Sequence, residues 1–172
     1  MSVATVDLVL LPAAALRALV EGDLGLAAGA AGVELPGGFL EASGLWRIRL
    51  EQIVADPASA PWLVRAVIGR PSDAVVGHAG FHGPPDDAGM VEVGYEILPE
   101  HRRQGYARAV LTELLAWAAG HGARTARASI GPDNVASRAL VREFGFQHVG
   151  EQWDDEDGLE LVFERPVPVS DC

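Results

Sequence analysis

Met90–Leu98 reads MVEVGYEIL, and Glu100–Arg108, just past Pro99, reads EHRRQGYAR. The first stretch alternates with period two. Val91, Val93, Tyr95 and Ile97 share an apolar face, and Met90, Glu92, Gly94, Glu96 and Leu98 share the other. Pro99 ends this strand. From Gly105 to Gly120, Ala109, Val110, Leu114, Trp117 and Ala118 form an apolar stripe at helical spacing, with Gly120 and Gly122 as the stop. A strand that ends and a helix that begins so close together direct free backbone N–H groups outward at the helix N-terminus. The helix dipole adds positive potential there, so phosphate is the natural ligand. Gly105 and Ala107 let an anion approach the main chain, and Arg102, Arg103 and Arg108 add cations suited to forked pairing with phosphate.

Two other phosphate-binding loops are excluded. The chain has no lysine, so GxxxxGK[ST] cannot occur, and no GxGxxG follows a predicted strand.

Working outward, the pattern predicts strands at Thr5–Leu11, Trp62–Ile68, Ala74–Phe81, Thr125–Ile130, Phe146–Gln152 and Leu159–Arg165. It predicts helices at Ala13–Glu21, around Trp46–Val54 and at Val135–Phe144. Gly22–Gly38 reads as loop with a short helical piece, Pro57–Pro61 as linker, Asp154–Gly158 as an acidic turn and Pro166–Cys172 as a tail. This order implies an α/β (α+β) domain with a mixed, mostly antiparallel sheet of six to seven strands and helices on its faces. With 172 residues and no dividing linker or repeat, residues 1–172 are expected to form one domain.

The net charge of −11 argues against nucleic acid and anionic membrane as partners and suits a cationic acceptor. No apolar run is long enough for a transmembrane helix, and Met1–Leu11 is a poor signal peptide, so a cytoplasmic location is expected. The single cysteine, Cys172, can form neither an internal disulfide nor a metal cluster. His78 and His82 fall on a strand and its turn without a third ligand, so no metal is expected. Trp46, Trp62, Trp117 and Trp153 are read as core or pocket walls.

The stretch Arg102–Ala107 resembles the [QR]-x-x-G-x-[GA] pyrophosphate motif of the GCN5-related N-acetyltransferase (GNAT) superfamily. VEVGYEILP at Val91–Pro99 looks like that family's fourth strand. IGPDNVASRALVREFGF at Ile130–Phe146 looks like its next motif, N-x-x-S-x-x-x-x-x-x-x-G-F, with Asn134, Ser137, Gly145 and Phe146 in register. The resemblance runs from about Trp62 to Arg165, and it is nearest to the branch that holds ribosomal-protein-alanine and small-molecule acetyltransferases. It implies a splayed central strand pair, a bulge near Glu96–Leu98, and acetyl-CoA as cosubstrate. The pantetheine arm would pair with backbone at Ile97 and Leu98, and the pyrophosphate would lie on Arg102, Arg103, Gln104, Gly105, Tyr106, Ala107 and Arg108. Asn134 and Ser137 would also touch the cofactor.

Acetyl transfer to an amine needs a base, a donor for the developing oxyanion and a proton for the leaving sulfur. Glu92 is the first candidate base and Glu96 the second. The acidic turn Asp154–Asp157 could hold a cationic acceptor. The resemblance assigns the oxyanion donor to the Ile97 N–H. It places Val141 where many members carry the tyrosine acid, and it implies that Ser137 could donate a proton or hydrogen bond to the leaving sulfur. Bonding within the first helical turn, for Ser137, and helix capping, for Asn134, are the structural alternatives. Tyr106 either packs on the cofactor or covers the turn. The expected acceptor is a small amine or a protein N-terminus, with Glu21–Gln52 as a lid and a homodimer among the open assembly states. A non-catalytic acetyl-CoA-binding module is the alternative function.

Overall fold

The computed structural model describes residues 3–168, so Cys172 lies outside the described residues. Seven strands form a mixed sheet: β1 (Thr5–Leu10), β2 (Val64–Arg70), β3 (Ala74–Phe81), β4 (Met90–Ile97), β5 (Thr125–Ile130), β6 (Gln147–Asp154) and β7 (Gly158–Pro166). Their order is β1-β2-β3-β4-β5-β7-β6. The β4–β5 pairing is parallel, while β1–β2, β2–β3, β5–β7 and β6–β7 are antiparallel. The helices are α1 (Ala13–Val20), α2 (Leu24–Ala31), α3 (Ser43–Ala55), α4 (Tyr106–Gly120) and α5 (Val135–Glu143). Contacts divide the chain into two compact units. One runs to Phe81 and takes in Tyr95–Glu113; the other comprises His82–Gly94 and the chain from Leu114 on.

In the first unit, β2 and β3 are buried almost throughout, so both of their faces are covered. Val64, Ala66 and Ile68 pack into a cluster with Leu16, Phe39 and Trp46 from the α1–α3 region. Gly69, next along β2, points the other way, and its missing side chain leaves room for the Tyr106 ring of α4. The β2–β3 ladder shifts register between Val67 and Ile68. The first unit also buries a titratable group. His78 lies edge-on to Phe39 and Trp46, and burial, aided by Arg49, lowers its pKa from 6.5 to about 4.

The second unit rests on β5, where Ala126, Ala128 and Ile130 point inward and Thr125, Arg127 and Ser129 are half-buried. Arg127 grips Glu164 of β7 through Nε and Nη2 at 2.9 and 2.6 Å. Val141 of α5 is fully buried, and Gly145 adopts a left-handed φ of 83° where that helix stops.

Several elements depart from the pattern reading. α2 is a full helix inside the Gly/Ala-rich segment. Asp23 caps it by accepting from the Leu26 N–H, and Gly32 closes it with a φ of 73°. Its ends were written in cap residues, but its interior lacks an apolar stripe to reveal it. Pro57–Trp62 is a 3₁₀ turn rather than a linker, started by Asp56 accepting from the Ala58 N–H. The tail assignment begins too early: β7 continues through Pro166, and the N–H of buried Val167 donates to the Arg124 carbonyl at 2.8 Å.

The buried His78 gives a pH prediction. Its folded-state pKa lies below the unfolded value, so the unfolded chain binds the extra proton and stability falls as pH drops from 6.5 toward about 4. Urea unfolding should show a loss of up to about 3 kcal/mol across that window. His78→Gln should lose less stability than wild type over the same range.

Candidate functional site

The strand end and turn singled out by sequence lie in the first unit. The Leu98 N–H donates to the Val76 carbonyl at 2.9 Å, so it is committed to β3. Successive amides of a strand point to opposite edges, and the Ile97 N–H therefore points away from β3. The Leu98 amide is not available to a pantetheine arm; the Ile97 amide keeps the orientation such a contact needs. The Ile97 carbonyl is engaged by Arg102, whose Nε donates to it at 2.9 Å. Arg102 thus anchors the turn to the strand through one nitrogen and keeps its two terminal nitrogens for other partners.

Gly77 was not singled out by sequence. A Cβ there would lie far inside van der Waals contact with the Glu96 carbonyl oxygen and 3.0 Å from the Ile97 Cα. Only glycine lets β3 come this close to the end of β4.

Beyond Pro99–His101 the chain turns sharply. Arg103 has a φ of 61° and Gly105 a φ of 86°. Left-handed backbone at a non-glycine residue costs about 1 kcal/mol or more. Here it serves a turn whose residues Arg102–Gly105 are exposed. The amides of Arg103, Gln104, Gly105, Tyr106 and Ala107 have no acceptor among the described residues, and the first bond into α4 runs from Ala109 N–H to the Gly105 carbonyl at 3.2 Å. Exposed, unsatisfied amides at a helix start are what an anion requires. Gln104 bends back, its Nε2 donating to the Glu100 carbonyl at 3.4 Å. The Tyr106 side chain turns away from this surface. It is buried, its ring over Gly69, so only its backbone belongs with the turn.

In the second unit, Glu92 of β4 is largely enclosed, its side chain 17% exposed, with Oε1 3.7 Å from His82 Nδ1. Glu96, in the first unit, has the equivalent neighbour: its Oε2 lies 3.7 Å from His78 Nε2, but its side chain is 54% exposed. Sequence alone missed both histidine–glutamate pairs because they depend on the β3–β4 register.

Asn134 caps α5, its Oδ1 accepting from the Ser137 N–H at 3.1 Å. The Ser137 amide is therefore used, while its hydroxyl bonds no described protein group. Asp154 is committed to its own turn. It accepts from the N–H groups of Asp157 and Glu156, and these bonds, the Asp157 bond foremost, lower its pKa. That use argues against Asp154 as a dedicated acceptor ligand. The tryptophans separate: Trp46 is core, whereas Trp153 is exposed. Among the described residues no three His, Cys, Asp or Glu side chains gather as a metal site would. No helix of the described residues is long and apolar enough to cross a membrane.

This fold and turn meet a family match. The acetyltransferase (GNAT) domain model aligns with residues 40–147, more than half of the chain, and the chain belongs to that family. The uncharacterized N-acetyltransferase YoaA of Bacillus subtilis strain 168 is 34% identical over 82 residues, which is 47% of this chain and 46% of YoaA. The chain thus spans under half the length of that curated relative. Among solved structures, a provisionally assigned ribosomal-protein-serine acetyltransferase from Vibrio cholerae superposes with a TM-score of 0.63 at 21% identity, covering 95% of this chain and 94% of that one. A phosphinothricin acetyltransferase from Sinorhizobium meliloti, in complex with AcCoA, gives 0.58 at 21% identity, covering 96% and 89%.

Two glycines in this region should behave differently on substitution. Gly105→Ala adds a Cβ that meets only the Ala4 Cβ at 3.5 Å, so its cost is backbone strain of about 1–2 kcal/mol, with the fold kept. Gly77→Ala drives a side chain into backbone and should cost more, about 3 kcal/mol. Chemical denaturation of both variants against wild type measures the difference.

Proposed function

We propose that this chain transfers the acetyl group of acetyl-CoA to a primary amine, carried by a small molecule or a protein N-terminus. The observation that carries the reading is the turn at Arg103–Ala107, exposed at Arg103–Gly105, whose amides have no acceptor among the described residues. A pyrophosphate fits this turn: it offers several acceptor oxygens and negative charge to a helix start that lacks both.

Acetyl-CoA, when bound, supplies an acetyl group activated as a thioester. The backbone of Arg103, Gln104, Gly105, Tyr106 and Ala107 binds the pyrophosphate, with the terminal nitrogens of Arg102 and the charges of Arg103 and Arg108 in support. The Ile97 N–H, turned away from β3, hydrogen-bonds the thioester oxygen. Glu92 takes the acceptor's proton, directly or through a water. Asn134 remains assigned to the pantetheine arm by resemblance, in addition to its capping role. The Ser137 hydroxyl hydrogen-bonds the leaving sulfur. Val141 is fully buried and supplies no acid. That substitution favours a second reading, a module that binds acetyl-CoA without catalysis.

Both readings face the same measurements. Gly105→Val should weaken coenzyme A binding at least tenfold by calorimetry while the circular dichroism spectrum stays native. Unchanged affinity would count against the turn as the pyrophosphate site. Thiol release from acetyl-CoA in the presence of primary amines should be measurable, and Glu92→Gln should flatten its pH–rate profile. Coenzyme A binding without thiol release for any amine would select the non-catalytic reading.

A further inference from the structure

The hairpin that ends β6 and begins β7 has two faces in different use. On one, Gln152 Nε2 donates to Ser129 Oγ of β5 at 3.0 Å and to Glu160 Oε2 at 2.8 Å, which ties that face into the sheet. On the other, Trp153 stands directly opposite Leu159, and Glu151 opposite Leu161. Trp153 is 74% exposed and Leu159 41%. The indole reaches along the hairpin, its Cη2 edge 3.8 Å from where a Cβ on Gly158 would lie. The fold gains little from a tryptophan left in water, whereas aromatic side chains of this kind anchor protein interfaces.

The surroundings of this apolar face carry one sign of charge. Residues 151–160 read EQWDDEDGLE, with six carboxylates and no basic side chain. Asp154 holds the turn by accepting from the Glu156 and Asp157 N–H groups at 2.8 and 2.9 Å. The side chains of Asp155, Glu156 and Asp157 are exposed, as is Glu151. None of the ion pairs among the described residues uses these four carboxylates.

Charge selects the occupant. A second copy would set six carboxylates against six, and β6, the last strand of the sheet, carries a register shift between His148 and Gly150 that spoils its outer edge for strand pairing. Nucleic acid and anionic membrane are repelled for the same electrostatic reason. Arginine matches both parts of the surface, because its planar guanidinium stacks on an indole and pairs with a carboxylate in forked geometry. We propose that the Trp153–Leu159 face of the β6–β7 hairpin is a docking surface for an extended, arginine-rich segment of a partner protein. The indole and Leu159 take the guanidinium planes and apolar stems, and Glu151, Asp155, Glu156 and Asp157 take the charge. None of these residues has a part in the acetyl transfer proposed above, so docking and activity are separable.

The test is fluorescence anisotropy of a short fluorescein-labelled peptide of alternating arginine and alanine, titrated with the full chain. Binding should weaken about tenfold or more in Trp153→Ala, and likewise in the triple variant Asp155→Asn, Glu156→Gln, Asp157→Asn, each with a native circular dichroism spectrum and unchanged coenzyme A affinity. Affinity should fall as sodium chloride rises, less steeply in the triple variant. Removing as many exposed carboxylates elsewhere, in Glu21→Gln, Glu34→Gln, Glu51→Gln, should leave affinity within about twofold. Lysine in place of arginine in the peptide should cost affinity with wild type and little with Trp153→Ala. The docking surface is overturned if the peptide does not bind, if wild type and Trp153→Ala bind it alike, or if the distant triple variant weakens binding as much as the hairpin one, since general charge would then suffice. It is also overturned if sedimentation shows a wild-type dimer that Trp153→Ala converts to monomer, which makes the occupant a second copy. Each of these results leaves the acetyltransferase reading as it stands.

Discussion

The hydrogen bond from the Leu98 N–H to the Val76 carbonyl, with Gly77 alongside it, is the constraint on which the candidate site depends. It holds the end of β4 to β3 at a separation that a side chain at position 77 would forbid. Because Leu98 faces β3, Ile97 must face the other way, and its carbonyl becomes the anchor for Arg102. The turn that follows is therefore hung from the sheet by both main chain and guanidinium. Its left-handed residues, Arg103 and Gly105, are tolerable because the strand end and the helix start are both fixed. Were the end of β4 loose, the amides at Arg103–Ala107 could relax into an ordinary α-helical start.

Much of this was legible in the sequence, and for reasons that can be stated. β3 and β5 have the boundaries that their β-branched and alternating residues imply, Ala74–Phe81 and Thr125–Ile130. β4 and α4 differ from expectation by one residue at one end, which is within the ordinary fraying of element ends. The anion-binding turn was readable because its signal is local: a proline, a glycine and arginines between a period-two and a period-3.6 pattern. α2 was not readable as a whole because helix caps without an apolar stripe carry little weight against six glycines and alanines.

What sequence could not supply were the roles that depend on register. Gly77 reads as one glycine among 20 until it is seen opposite Glu96. Tyr106 sits in the motif by sequence but belongs to the core by packing, because Gly69 of β2 leaves a space for its ring. Asn134 and Ser137 had two readings each. The capping reading is realised in the bond between the Asn134 Oδ1 and the Ser137 N–H. That bond does not consume the Ser137 hydroxyl, so capping and a cofactor contact are compatible rather than competing uses.

The two histidine–glutamate pairs show how the same chemistry acquires different meaning from burial. Each pair joins β3 or the residue after it to β4, and each has the same 3.7 Å separation. In the pair with Glu96, the imidazole is the enclosed partner. His78 is 8% exposed, wedged against Phe39 and Trp46, and stays neutral down to about pH 4, while its carboxylate is mostly in water. That pair cannot pass a proton near neutral pH, because the ring refuses it and the carboxylate is screened by solvent. With Glu92 the arrangement is reversed, the carboxylate enclosed and the imidazole half in water. Enclosure thus separates Glu92 from Glu96, a distinction that alternation along MVEVGYEIL cannot make because it puts both glutamates on the same face.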